Sequence, residues 1–184
     1  MPQPAPQRKA QRQRRRTIGA APSGLEPVQG LFAVRYRPTA ESAVAGALRQ
    51  LGSVRHLEPH HLLLVELPDT EREAAAVRKL RAWHRDGQVD FFTPVLRDRQ
   101  TRLLRILTDE ITVRFKPNVP ARRRASIQRK LGVNALRQNE FVPSQCVVKV
   151  SQPTGLNTLK VARALDQSPD VQFATPNYIS EFRR

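Results

Sequence analysis

From Leu31 the chain alternates with a period of two: Phe32, Val34 and Tyr36 carry large apolar groups, Ala33, Arg35 and Arg37 stand between them, and Pro38 ends the run. That is the pattern of a strand with one buried face. Val44, Ala47, Leu48 and Leu51 then fall at i, i+3, i+4 and i+7, which predicts a helix over 40–51 with Gly52 as its stop. A strand over 54–57, a turn at Pro59-His60 and an apolar strand over 62–67 follow. After Pro68, Thr70-Glu71-Arg72-Glu73 reads as a capping box opening a helix whose inner stripe is Val77, Leu80 and Trp83 or His84. The helix ends near Asp86-Gly87, and a fourth strand covers 89–92.

The same order recurs about eighty residues later: a strand over 111–115, a helix over 120–131 with Pro120 suited to its first position, strands over 135–138 and 145–150, a helix over 157–166 and a strand over 171–174. VRYRP at 34–38 answers VRFKP at 113–117, and VDFFTP at 89–94 answers VQFATP at 171–176. The pattern is a tandem duplication. Strand, helix, strand, strand, helix, strand is the split βαβ order, so the expected fold is α+β: two tandem ferredoxin-like (βαββαβ) domains, antiparallel sheets with helices on one face. The domains expected are 29–98 and 111–184. Residues 1–28, rich in Gln, Arg and Pro, are expected to be a disordered tail. The linker at 99–110, RQTRLLRILTDE, is too short for its period to decide between a helix and an edge strand.

Charge changes the picture by its distribution. The net charge is +16, yet 29–98 holds ten basic against nine acidic side chains while 111–184 holds thirteen against four. No apolar run approaches the roughly 20 residues needed to cross a bilayer. The basic N-terminus is not followed by an exporting apolar stretch, so a cytoplasmic location without membrane contact is the expectation. The one cysteine, Cys146, sits in an apolar strand pattern and reads as a small buried hydrophobe.

Candidate chemistry is sparse. His56, His60, His61 and His84 have no Cys, Asp or Glu at zinc spacing, and no phosphate-loop, dinucleotide or nucleophile-elbow motif occurs, so neither metal nor cofactor is expected. Arg14, Arg15 and Arg16 offer phosphate contacts for nucleic acid or, equally, form a solvated tail, and Arg122 to Arg124 read as a solvated helix face. Strand parity points Phe32, Tyr36, Phe91, Phe115 and Phe173 at the helices. Leu62, Leu64 and Phe92 then lie on the uncovered sheet face, with Val147, Lys149, Gln172 and Ala174 their milder counterparts in the second copy. A slip of one residue would exchange the faces.

The second copy, from ITVRFKPNVP through Leu131-Gly132 and VVKV to ARALDQSPDVQFATPNY ending at Tyr178, closely resembles the propeptide of subtilisin-like serine proteases, and the first copy resembles a diverged member of the same type. The resemblance implies a non-catalytic ferredoxin-like module that serves as folding chaperone and temporary inhibitor. Its open sheet face packs on two surface helices of the protease, and the segment after its last strand lies in the substrate cleft. By position that segment is Pro176, Asn177, Tyr178, Ile179, Ser180, Glu181, Phe182, Arg183 and Arg184. The family's Asp, His and Ser motifs are absent, so the chain is not expected to be an enzyme, and its partner is a subtilisin-like protease domain, in cis as in the family or in trans. The alternatives are a basic nucleic-acid-binding protein using the Arg-rich tail, and an inert truncated fragment of a protease gene.

Overall fold

A computed structural model describes residues 24–152 and 154–181. The first strand, β1 (Leu25–Tyr36), starts earlier than the alternation shows, because Glu26, Pro27 and Gln29 interrupt its apolar pattern. Residues 25–28, expected in the tail, are therefore strand, and the rest of the expected tail lies outside the described residues. α1 (Glu41–Arg49), β2 (Ser53–Leu57) and β3 (Leu62–Glu66) follow as the pattern predicts. α2 (Thr70–Arg85) is capped one residue before the expected position: the Asp69 carboxylate accepts from the Arg72 backbone N–H at 2.7 Å. A charged oxygen at the N-cap serves both the orphan donors and the helix dipole, so it displaces the Thr70 hydroxyl. β4 (Val89–Asp98) completes the first half.

The second half runs β5 (Leu104–Phe115), α3 (Ala121–Lys130), β6 (Val133–Gln138), β7 (Gln145–Val150), α4 (Gly155–Asp166) and β8 (Val171–Glu181). Pro120 stands at the N-cap of α3 rather than inside it. Among the described residues the architecture is α+β, with four α-helices and an eight-stranded sheet whose paired strands are all antiparallel, in the order β2-β3-β1-β4-β5-β7-β6 with β8 on the other edge of β5. Each half has the ferredoxin-like order. β1 lies between β3 and β4 in the first, and β5 between β7 and β8 in the second.

Burial follows the helices. Val44 and Leu48 of α1 and Ala76 and Leu80 of α2 close over Phe32, Val34, Leu63 and Val65. Ile127 of α3 and Ala162 and Leu165 of α4 close over Ile111, Val113, Phe115 and Val148. Each of the Val, Leu, Ile and Phe side chains among them contributes about 1.5–3 kcal/mol relative to exposure.

The expected linker is mostly strand. Residues 104–110 belong to β5, whose start pairs with the end of β4, Val95 opposite Ile106 and Arg97 opposite Leu104. The connection between them is a tight turn in which the Asp98 carboxylate accepts from the N–H groups of Gln100 and Thr101 at 2.9 and 3.0 Å. Those bonds, the one from Thr101 foremost, hold the Asp98 carboxyl below its usual pKa. β5 is thus shared: β8 pairs along one edge, while β4 and β7 follow one another along the opposite edge.

Irregularities in the ladders overturn part of the expected parity. The register shifts between Arg35 and Tyr36 against β4, and between Arg114 and Phe115 against β8. Across each shift two residues three apart share a face. Val89 and Phe92 both enter the first helix-covered core, and Val171 and Ala174 both enter the second. Phe92 and Ala174, expected on the uncovered face, are therefore beneath the helices. Phe91 and Phe173, opposite Arg35 and Arg114, take the other face. One bulged residue suffices to exchange every side chain beyond it.

The halves also meet through α4, whose first turn lies on β4. Thr154 forms a bridge with Phe92, and a Cβ added to Gly155 would stand 2.8 Å from Thr93 Cβ and 2.9 Å from Leu107 Cβ. Those distances are below any real contact. Gly155→Ala is expected to lower stability by about 1–3 kcal/mol, the cost of overpacking a closed interior, read as a lower midpoint in urea unfolding.

Candidate functional site

The face of the first half away from its helices is apolar and covered. Cross-strand rows place Leu57, Leu62, Arg35 and Phe91 side by side, then Arg55, Leu64, Ala33 and Thr93. Leu62 and Leu64 are each 2% exposed, packed in a cluster with Ala33, Val95 and Ile106 and flanked by Leu104 and Ile179. Neither belongs to the cluster beneath α1 and α2. They form no exposed patch, because Val95 of β4 and Ile106 of β5 pack with them in one buried cluster.

The same face of the second half is polar and open. Gln145, Arg114 and Phe173 form one row; Arg137, Val147, Thr112 and Thr175 form the next; Asn134, Lys149 and Glu110 form a third. Val147 lies here, half-buried, whereas Lys149, Asn134 and Arg137 are exposed. Arg114, like Val147 half-buried, has no ion-pair partner among the described residues. Arg137 approaches Glu110 Oε2 at 3.5 Å. Three cations, Arg114, Arg137 and Lys149, stand in these rows against one carboxylate, Glu110.

Between the two faces sits Asp109, only 2% exposed. Its Oδ1 accepts from Arg35 at 2.7 Å and its Oδ2 lies 3.3 Å from Lys149 Nζ, so one carboxylate ties β1 of the first half to β7 of the second. Composition and motif searches missed it. The signal was available in Asp109-Glu110, two acids inside an otherwise apolar strand pattern, ILTDEITV.

The segment expected to enter a protease cleft is anchored for most of its length. Pro176 to Glu181 belong to β8 and pair with β5, Pro176 opposite Ile111 and Glu181 opposite Leu104. Asn177 closes the irregular stretch of β5 between them. Its Oδ1 accepts from the Thr112 hydroxyl at 2.9 Å, its Nδ2 donates to Glu110 at 3.2 Å, and its carbonyl accepts from the Thr108 hydroxyl at 3.1 Å. Arg105 donates to the Ser180 hydroxyl, and Ile179 packs on the apolar cluster of Leu62 and Leu64. The Tyr178 hydroxyl is buried without a hydrogen-bond partner among the described residues, and burial pushes its pKa up to about 12 against the opposing charges of Arg105 and Arg163. Phe182, Arg183 and Arg184 lie outside the described residues, as do Arg14, Arg15 and Arg16.

The remaining candidates stay apart. Burial pushes the Cys146 thiol up, which suits a packing role rather than a nucleophile. Among the described residues no group of three or more His, Cys, Asp or Glu side chains is placed to hold a metal ion. No helix among them is long and apolar enough to cross a membrane.

Two outcomes follow from this geometry. Asp109→Ala leaves Arg35 and Lys149 without their shared anion; because both cations keep some solvent, the expected loss is about 3 kcal/mol, the lower end for a broken buried pair, measured by urea unfolding. For Tyr178 the folded pKa exceeds the unfolded one, so the folded state holds the proton more tightly and stability falls as pH rises from about 10 to about 12. Tyr178→Phe is expected to remove that slope from the alkaline unfolding profile and, by deleting a buried unpaired hydroxyl, to stabilise the protein by roughly 1 kcal/mol at neutral pH.

No curated protein matches the chain. The model of one protein family, the fervidolysin N-terminal prodomain, matches residues 104–177, which run from the first residue of β5 to Asn177 in β8. The matched region contains the whole polar face, Asp109 and the Asn177 anchor. Residues 104–177 are therefore similar to the fervidolysin N-terminal prodomain, a propeptide of subtilisin-like proteases.

Proposed function

We propose that the chain is a non-catalytic pro-region that binds a subtilisin-like serine protease domain, assisting its folding and inhibiting it. The observation that carries this reading is the coincidence of the matched region, 104–177, with a half that has an uncovered polar sheet face and a last strand leading to the C-terminal segment. The face packs on the protease surface. The chain beyond Glu181 enters the substrate cleft as an extended strand, pairing its backbone with the cleft wall. Because Pro176 to Glu181 are held by β5, the inserting part begins at Phe182, and the earlier residues of the segment set its direction.

The first half is a second copy of the same unit. Support comes from the ladders: the register shifts at the same place in both halves at Arg35/Tyr36 in β1 and Arg114/Phe115 in β5, and at nearly the same place at Pro27/Phe32 and Leu107/Ile111. Bulges at matched positions are retained features of a common ancestor rather than accidents of packing. The chain has no catalytic role of its own. It acts in trans or joined to its protease, and linkage would raise the effective concentration of the same contacts.

Deleting Phe182 to Arg184 is expected to weaken inhibition of a subtilisin-like protease by roughly tenfold or more while leaving the folded state intact. Inhibition constants for the full and shortened chains, determined with a chromogenic peptide substrate, decide it: equal constants remove the cleft-insertion mechanism.

A further inference from the structure

We propose that only one of the two sheet faces is a docking surface, that of the second half, and that it takes an acidic protein surface, one protease per chain. The inference rests on the protease reading above and adds its valence and the chemistry of the contact. Two equivalent binding units would be expected to hold two partners. The cross-strand rows say otherwise. Leu62, opposite Arg35, answers to Gln145, opposite Arg114; Leu64, opposite Ala33, answers to Val147, opposite Thr112. At equivalent places the first half has Leu, Leu and Ala where the second has Gln, Val and Thr. An antiparallel sheet reads apolar on both faces when both are covered and polar on the side left to solvent. Here Leu62 and Leu64 are buried in one cluster with Val95 and Ile106, while Asn134, Arg137 and Lys149 on the polar face are exposed.

The occupant follows from charge. Arg114, Arg137 and Lys149 present cations across three rows, Asp109 is buried beneath them, and Glu110 already holds Arg137 and Asn177. A partner with carboxylates opposite these rows gains steering and register, whereas a basic surface is repelled. Phe173 is the one aromatic side chain in those rows, so the platform of successive aromatics that stacks single-stranded nucleic acid is missing. The first half then serves as a brace, joined to the docking half through Asp109 and the shared strand β5.

Accessibility and stoichiometry test this separately. In the full chain, a cysteine introduced as Asn134→Cys is expected to react with a maleimide roughly a hundredfold faster than one introduced as Ala33→Cys, with buried Cys146 as the internal slow reference. Thr93→Cys, on the same sealed row, replaces Ala33→Cys if that variant fails to fold. Titration of the full chain with active-site-blocked subtilisin is expected to saturate at one equivalent, and Arg114→Glu with Arg137→Glu to weaken binding at least about tenfold and flatten its salt dependence. Comparable labelling of the two faces, two proteases per chain, or an oligonucleotide captured at Arg114 and Arg137 in place of protein would overturn the proposal. Loss of all protease binding with the labelling contrast intact would instead remove the protease reading and leave the single exposed face standing.

Discussion

A strand edge inside a protein must be paired, because each buried N–H or carbonyl left alone costs as much as a lost hydrogen bond. β5 is where this chain meets that constraint most heavily. One of its edges carries β8 on both sides of the irregularity between Leu107 and Ile111, and the other carries first β4 and then β7. Its twelve residues therefore bind the halves into one sheet. The stretch around Asp109, where neither the β4 nor the β8 ladder is regular, is the seam, and Thr108, Glu110 and Asn177 satisfy one another there.

Continuity at β5 then decides the fate of both sheet faces. Since β4 and β5 continue past their helix-covered cores, their paired ends bring Val95 and Ile106 into one buried cluster with Leu62 and Leu64. The second half has no counterpart of that cluster around Thr112 and Val147 among the described residues, and Asn134, Arg137 and Lys149 beside them are exposed. An ion pair buried to this degree is an uncertain source of stability, but it is specific: Asp109 is satisfied only where Arg35 and Lys149 meet. Two units with similar strands and helices thus differ in what they present, one as an interior and the other as a surface.

The order and type of the elements were legible in the sequence because they rest on local periodicity: the alternation of Phe32, Val34 and Tyr36, the stripe of Val44 and Leu48, and their counterparts in the second half. The family resemblance was legible for a related reason. Pro176, Asn177 and Tyr178 are adjacent in the chain, so the motif can be read there, although the groups Asn177 bonds, Thr108, Glu110 and Thr112, are far from it in sequence. Arg114 and Thr112 could be assigned to the uncovered face by parity alone, since no irregularity separates them.

Parity beyond a bulge was not legible, and Phe92 and Ala174 were misplaced for that reason. A single unpaired residue exchanges the two faces, and nothing in VDFFTP or VQFATP marks which residue is unpaired until the partner strand is in position. The covering of Leu62 and Leu64, the role of Asp109 and the merging of 99–110 into the sheet were hidden likewise. Each depends on side chains far apart in the chain, Arg35 with Asp109 and Leu64 with Ile106. The sequence by itself determined the βαββαβ order, the propeptide likeness and the basic second half, because these are local or additive properties. Tertiary structure alone decided which sheet face stays open, because that depends on where strand edges are satisfied across the whole molecule.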